Sequence, residues 1–186
     1  MTPSYFEGVQ PPPAATPALA LADAKAWMRV ELDEEDAVIT ELIAAATASC
    51  EAFVGQLLIA RAVTEILPIQ TGNWQRLGFG PVRALTSVEG VPADGAPFVF
   101  PVEHYGIDVD ASGEGWVRVT QPGAAGRMRV TYMAGLAEQA DALPPDVRQG
   151  LLRLVAHLYA ARDDARDAVP PDAVTRLWQP WRKPVL

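Results

Sequence analysis

The sequence predicts an α+β fold, in which a helical core carries an inserted antiparallel β unit. Residues 34–54 and 145–162 place apolar side chains three and four positions apart, as amphipathic helices do. Residues 56–133 lose that spacing and instead show short β-branched runs separated by turn residues. Because neither helix can cover its apolar face alone, we expect the two to pack together as a helical bundle core. At 186 residues the chain suits one domain, or one domain with a small insertion.

The N-terminal residues differ from the rest of the chain in their proline content. Residues 1–18 contain Pro11–Pro13, which favours an extended backbone and excludes a helix interior. We expect a flexible proline-rich arm here, followed by a single domain over residues 19–186. The arm is either a disordered tail or a segment that orders on a neighbouring subunit, with Tyr5 and Phe6 as anchors.

The first helix, Leu21–Val30, is predicted to end at an acidic elbow. Asp33 is expected to be the N-cap of the next helix, with further acidic residues in its first turn, where the helix dipole favours negative charge. A solvated helix start explains this cluster better than a metal site does. Its members are Asp33, Glu34, Glu35 and Asp36.

The second helix runs from residue 34 to 54, and Gly55 is expected to end it. Its predicted apolar stripe is Val38, Ile39, Leu42, Ile43, Ala46, Cys50, Phe53 and Val54. Cys50 is the single cysteine, which excludes an intrachain disulfide and fits a buried small side chain. The small side chains of Ala44, Ala45, Ala46 and Ala48 permit close helix–helix approach. On that side we expect the next subunit.

Six strands are predicted in the β unit. They are Ile59–Leu67, Val82–Val88, Phe98–Phe100, Tyr105–Val109, Trp116–Thr120 and Arg127–Tyr132. The last two alternate apolar and polar residues, which predicts strands with one exposed face.

The third helix opens at Pro144–Pro145, which the first turn of a helix tolerates. Its stripe is Val147, Leu151, Leu154, Val155, Leu158 and Tyr159. The C-terminal tail, residues 170–186, is predicted to hold a short helix, Asp172–Trp178, followed by Trp181. Two tryptophans in a polar tail indicate either packing within the chain or docking on a partner.

No residue set indicates a catalytic, cofactor-binding or metal site. The run Asp108–Gly113 resembles the start of a calcium loop, but the twelfth position is Val119 rather than Glu, so a polar hairpin turn is expected. His104 and His157 have no neighbouring Cys/His cluster, and His157 is expected to be structural. With 15 basic against 23 acidic residues, tight nucleic-acid binding is not expected. We also expect no membrane span, no secretory signal and an intracellular compartment.

Several spaced motifs resemble bacteriophage head–tail connector (adaptor) proteins, a family also found in gene transfer agents. The first set is Leu21, Ala24, Lys25, Met28, Arg29, Asp36, Ile39, Leu42, Ile43, Ala45, Glu51 and Gly55. The later ones are VTYMAGL at 130–136, LPPDVRQG at 143–150, HLY at 157–159 and LWQPWR at 177–182. The chain departs from the family pattern at Ala20, Gly150 and Trp181, where a Ser or Thr, an Ala and a Tyr are usual.

The resemblance implies a structural protein rather than an enzyme. It implies a ring of copies, typically twelve-fold, that lies under the portal protein, extends the DNA channel and meets the next neck or tail component. DNA would pass without specific binding, and the protein would be located in the virion neck after assembly in the bacterial cytoplasm. By the same resemblance, Trp178, Trp181 and Arg182 are candidates for portal docking. Lys25 and Arg29 are candidates for intersubunit pairing with Asp33, Glu34, Glu35 and Asp36.

Two alternatives remain at this point. The first is a different protein of the same particle, either a head-completion protein or a tail terminator. The second is a cytosolic enzyme without a recognisable motif, which a pocket with convergent polar side chains would favour.

Overall fold

The computed structural model describes residues 16–161 and 170–183. They form an α+β protein, as predicted, which divides into a helical unit and a β unit. The β unit is Ala60–Leu136, and the described helical unit is residues 16–59, 137–161 and 170–183. Most of the predicted arm, residues 1–15, lies outside the described residues, as do residues 162–169 and 184–186.

The helical unit contains α1 (Leu21–Met28), α2 (Asp36–Val54), α3 (Pro145–Ala160) and α4 (Asp172–Trp178). α2 packs against α3, which confirms the predicted contact between the long helix and the helix near residue 145. α4 packs on α3, and α1 touches both α2 and α3. The buried side chains at the centre are Leu19, Ile39, Ile43, Cys50, Val54, Val147, Leu151, Leu154, Val155, Val174 and Trp178.

The elbow differs from its prediction. α1 stops at Met28 because Arg29 adopts a left-handed conformation (φ 58°, ψ 39°), so the helix does not reach Val30. Asp33–Glu35 forms a separate 3-10 turn, and no side chain caps α2. Asp33 as N-cap was therefore wrong; its carboxylate instead accepts a hydrogen bond from Lys25.

α2 buries a narrower stripe than predicted. Val38 is 44% exposed. Successive side chains of a helix point about 100° apart, so Val38 lies outside the face that buries Ile39. Gly55 ends the helix in a left-handed conformation, as predicted, and its N–H donates to the Glu51 carbonyl. Ala46 is buried, whereas Ala44, Ala45 and Ala48 are exposed. The helix thus presents small side chains outward.

By length and composition alone, residues 33–54 could cross a membrane, although no membrane span was expected from the sequence. Only a third of the most apolar 18-residue window in that stretch is buried within the protein. This is weak evidence for a membrane span, because core helices of soluble proteins pass the same test. No other helix in the described part of the chain qualifies.

Seven strands form two antiparallel sheets in the described β unit. They are β1 (Arg61–Pro68), β2 (Gln75–Arg76), β3 (Val82–Pro92), β4 (Phe98–Val99), β5 (Tyr105–Val109), β6 (Gly115–Val119) and β7 (Ala125–Ala134). One sheet has the order β1-β7-β3-β4 and the other β2-β6-β5. All six predicted strands exist, whereas β2, two residues long, was not predicted. Ile59 lies outside β1 because it forms a bridge to Ala137 in the helical unit.

The alternation in β6 and β7 places one face in the core, as expected. Val117, Val119, Met128, Val130 and Tyr132 are each at most 1% exposed. The polar run after β5 is a hairpin turn, as predicted, and the Asp110 carboxylate organises it by accepting hydrogen bonds from the Ser112 and Glu114 backbone N–H groups.

Candidate functional site

The elbow is held together by an ion-pair cluster within the chain. The Lys25 ammonium lies 2.9 Å from the Asp33 carboxylate and 2.6 Å from that of Asp36. The hydrogen bonds that Lys25 donates to Asp36 and then to Asp33 raise the pKa of Lys25, and the bond from Lys25 lowers the pKa of Asp33. Because the Asp33 side chain is 92% exposed, solvent screens this pair and the elbow remains a polar surface feature.

Two further contacts fix α1 and the elbow to α3. Arg148 donates to the Asp23 carboxylate of α1 at 2.6 Å, and the Tyr159 hydroxyl donates to Glu35. Arg29 and Glu34 are exposed, and the described residues give their side chains no partner. Of the predicted intersubunit residues, Lys25, Asp33, Glu35 and Asp36 thus already have partners in their own chain, while the exposed Arg29 and Glu34 have none among the described residues.

Trp178, a predicted portal-docking residue, belongs to the core of the helical unit. It is 0% exposed, its ring centroid lies 6.0 Å from that of Phe53, and its indole N–H donates to the Val147 carbonyl at 3.3 Å. A Cβ at Gly150 would lie 2.1 Å from the indole nitrogen. Gly150, the unusual glycine on α3, therefore leaves the space that the Trp178 ring occupies. Because Trp178 is buried, only Trp181 and Arg182 remain as candidates for portal docking.

Those residues are fastened to the C-terminal end of α2. Lys183 donates its backbone N–H to the Val54 carbonyl at 2.9 Å, and the Gln56 side chain donates to the Trp181 carbonyl at 2.6 Å. The Arg182 guanidinium lies 5.5 Å from the Phe53 ring centroid, a cation–π distance. Trp181 is half-buried and its indole N–H has no acceptor among the described residues, while Arg182 is exposed. The tail thus presents Trp181 and Arg182 from a fixed backbone.

The β unit contains a buried polar network that sequence reasoning missed. Glu65 is 3% exposed, and its carboxylate accepts from the Gly78 N–H (3.0 and 3.1 Å) and from the Tyr132 hydroxyl. The hydroxyl in turn accepts from the Phe79 N–H at 3.1 Å. Burial, followed by the charge of Glu65, raises the pKa of Tyr132. The one available signal was an acidic residue at a core-facing position of a strand. The network ties the loop after β2 to the sheet.

The described residues offer little for catalysis. No group of three or more His, Cys, Asp or Glu there could hold a metal ion. Cys50 is buried, as predicted, and burial raises the pKa of its thiol, which keeps it protonated. An open groove of about 490 Å³ lies between α1 and α3, and its Asp23 and Arg148 neutralise each other. The groove therefore holds a structural ion pair.

Residues 19–168 match the model of a protein family described as head completion protein. The chain belongs to this family. None of the curated proteins matches the chain. The family description coincides with the first alternative raised by the sequence, a head-completion protein.

Solved structures of gene transfer agent (GTA) particles contain chains of the same fold. A chain from the neck of an empty GTA particle, computed with C6 symmetry, is 23% identical, with a TM-score of 0.77 and coverage of 96% of this chain and 97% of that one. A chain from the virion of a native GTA particle is 26% identical (TM-score 0.75, coverage 93% and 94%). A third, from the neck of a native GTA particle computed with C12 symmetry, is 26% identical (TM-score 0.71, coverage 96% and 97%).

Family and fold together confirm the resemblance seen in the sequence motifs. They indicate a structural role in the head–tail neck and a location in the virion. A structural neck family also points away from enzymatic activity.

Proposed function

We propose that the chain assembles as a ring, twelve-fold in the complete particle, beneath the portal protein of a GTA or tailed phage. The ring continues the DNA channel and joins the head to the next neck or tail component. The observation that carries this proposal is the near-complete match to a chain from a native GTA neck computed with C12 symmetry.

The charge of the chain suits a channel component. A channel must let DNA slide, so strong phosphate binding would hinder its task. The formal net charge of −8 is compatible with a lumen that repels the DNA backbone.

Three surfaces are proposed to make the contacts. Trp181 and Arg182 dock on the portal from the fixed tail, since Trp and Arg dominate protein–protein hot spots. Arg29 and Glu34 pair with neighbouring copies, because the described structure leaves their charges free. The outward alanines of α2 pack against the next subunit, since small side chains let another element approach closely.

Addition of the purified chain to particles that lack it tests this position. Heads isolated without the protein should bind it and then accept tails, whereas isolated tails should not bind it. Binding to tails but not to heads would instead indicate a tail terminator, and binding to neither would contradict a neck role.

A further inference from the structure

The β2-β6-β5 sheet has one buried face and one outer face that carries an aromatic ring and an arginine. Val117 and Val119 of β6 are at most 1% exposed, whereas Arg118 between them is half-buried. The Arg118 guanidinium lies 4.7 Å from the centroid of the Trp74 ring, and Trp74 is 42% exposed. A Cβ at Gly106, opposite Arg118 on β5, would lie 3.3 Å from that ring. The ring thus reaches over the outer face from the β2 side to β5.

The Arg118 guanidinium is stacked but has no acidic partner. Among the described residues no hydrogen bond or ion pair engages it, and its buried Nε has no acceptor. A guanidinium stacked on an aromatic ring can still bind a carboxylate through its N–H groups. The same face carries exposed Arg76 and half-buried Trp116, which lie opposite each other on β2 and β6. Since Trp and Arg are enriched in binding hot spots, this face has the composition of a protein interface.

The other charges of this face favour a protein partner over DNA. Asp108 of β5 is exposed there, and Glu114 lies 3.4 Å from Arg76. These two carboxylates balance the two arginines, whereas DNA binding uses an excess of Lys and Arg. A partner for Arg118 therefore brings its own carboxylates, and the exposed ring of Trp74 favours an apolar side chain between them.

The segment between α1 and α2 has these complementary features. Leu32 is 61% exposed in an extended conformation (φ −74°, ψ 133°). Glu31 and Glu34 flank it, are exposed and have no partner among the described residues. Over residues 29–41 six acidic residues face one basic residue, so the surroundings of Leu32 are strongly negative.

We propose that the Trp74–Arg118 face of one copy binds the Glu31–Glu34 segment of the next copy. This inference rests on the proposed ring and assigns residues to both sides of its lateral contact. Leu32 packs on the exposed ring of Trp74, and the flanking carboxylates accept hydrogen bonds from Arg118. Both surfaces are exposed within one chain, so a second copy supplies the partner. A head-to-tail ring needs two different, complementary surfaces on each subunit, which this pair provides.

Charge reversal tests the contact in the full chain mixed with portal protein. Arg118→Glu brings like charges together, so the chain concentration at half-maximal ring assembly should rise about tenfold or more. Glu31→Arg/Glu34→Arg should have the same effect from the other side. The matched control Arg127→Glu changes an exposed arginine of β7, on the other sheet, and should leave assembly unchanged. Equal assembly by all these variants, or an equal loss in the control, would overturn the inference and leave the ring itself standing.

A mixture of the two defective variants shows whether the contact joins different copies. In a ring of alternating variants, each Arg118→Glu chain meets a reversed segment, and each unchanged Arg118 meets an unchanged segment. Mixing should therefore restore rings with an even number of copies, although neither variant assembles alone. Rescue only when all three substitutions are on a single chain would place the contact within that chain and overturn the inference.

Cysteine cross-linking gives a readout without charge reversal. Asp33→Cys and Asp108→Cys replace exposed side chains at the two surfaces, and buried Cys50 should not compete. In assembled rings a short bismaleimide should join an Asp33→Cys chain to an Asp108→Cys chain, but not to an Arg127→Cys chain. Rings without that product would overturn the inference, as would unchanged rings in which Arg118→Glu lowers only the binding of duplex DNA. Absence of rings from the wild type under every condition would contradict the proposed function as well.

Discussion

Substitution of Gly150 should destabilise this protein, although a glycine inside a helix normally gains from becoming alanine. In an exposed helix that change stabilises by about 1 kcal/mol. Here the new methyl group would lie 2.1–2.9 Å from three atoms of the Trp178 indole. The indole is fully buried, so it can move only by disturbing its contact with Phe53 and its hydrogen bond to Val147.

The magnitude follows from these competing effects. Overpacking of a filled core costs about 1–3 kcal/mol. A buried donor and acceptor that lose each other cost about 1–3 kcal/mol more. After the gain in helix propensity, Gly150→Ala should lower the free energy of unfolding by roughly 1–5 kcal/mol.

Urea unfolding followed by far-ultraviolet circular dichroism measures this change. The control is Gly150→Ala in a Trp178→Leu background, where the smaller side chain leaves room for the methyl group. The same alanine should be neutral or stabilising there, so the double-mutant cycle should show a coupling above about 1 kcal/mol. A Gly150→Ala variant more stable than the wild type would refute the reasoning.

Three further predictions follow from the sites. Tyr132→Phe removes the hydroxyl that donates to Glu65 and accepts from the Phe79 N–H, so it should cost about 1–3 kcal/mol in urea unfolding. The same change at half-buried Tyr105 should cost much less, and equal effects would contradict the network. The pKa of Asp33 is lowered in the folded state, so the stability that its ion pair contributes is present at neutral pH and is lost as the pH falls through that pKa. The Asp33→Asn variant should therefore lose less stability than the wild type between about pH 6 and 2. An equal dependence of unfolding free energy on pH in both proteins would count against the pair. Trp181→Ala/Arg182→Ala should weaken portal binding about tenfold or more in a pull-down titration while exposed Arg176→Ala does not, and equal binding by both would remove the tail from the interface.

The helices and most strands could be predicted because their patterns are local. Apolar spacing located α2 and α3, and alternation located β6 and β7 close to their observed bounds. β2 was not predicted because a strand of two residues shows no periodicity. The end of α1 was not predicted because it depends on Arg29 in a left-handed conformation, which is expected at glycine rather than at arginine.

The candidate site was less predictable because it depends on contacts between residues distant in sequence. Gly150 was recognisable as unusual, but its reason lies with Trp178 on another helix. Two tryptophans looked equivalent in the tail, and only packing separates buried Trp178 from half-buried Trp181. Asp33 had the residue type of a cap, yet Lys25, eight positions earlier, holds its carboxylate.

Electron micrographs of the purified chain mixed with portal protein test the central claim most directly. The account predicts annular particles in which a ring of twelve copies lies coaxially on the portal and surrounds an open channel. A chain that remains strictly monomeric both alone and with portal would contradict it.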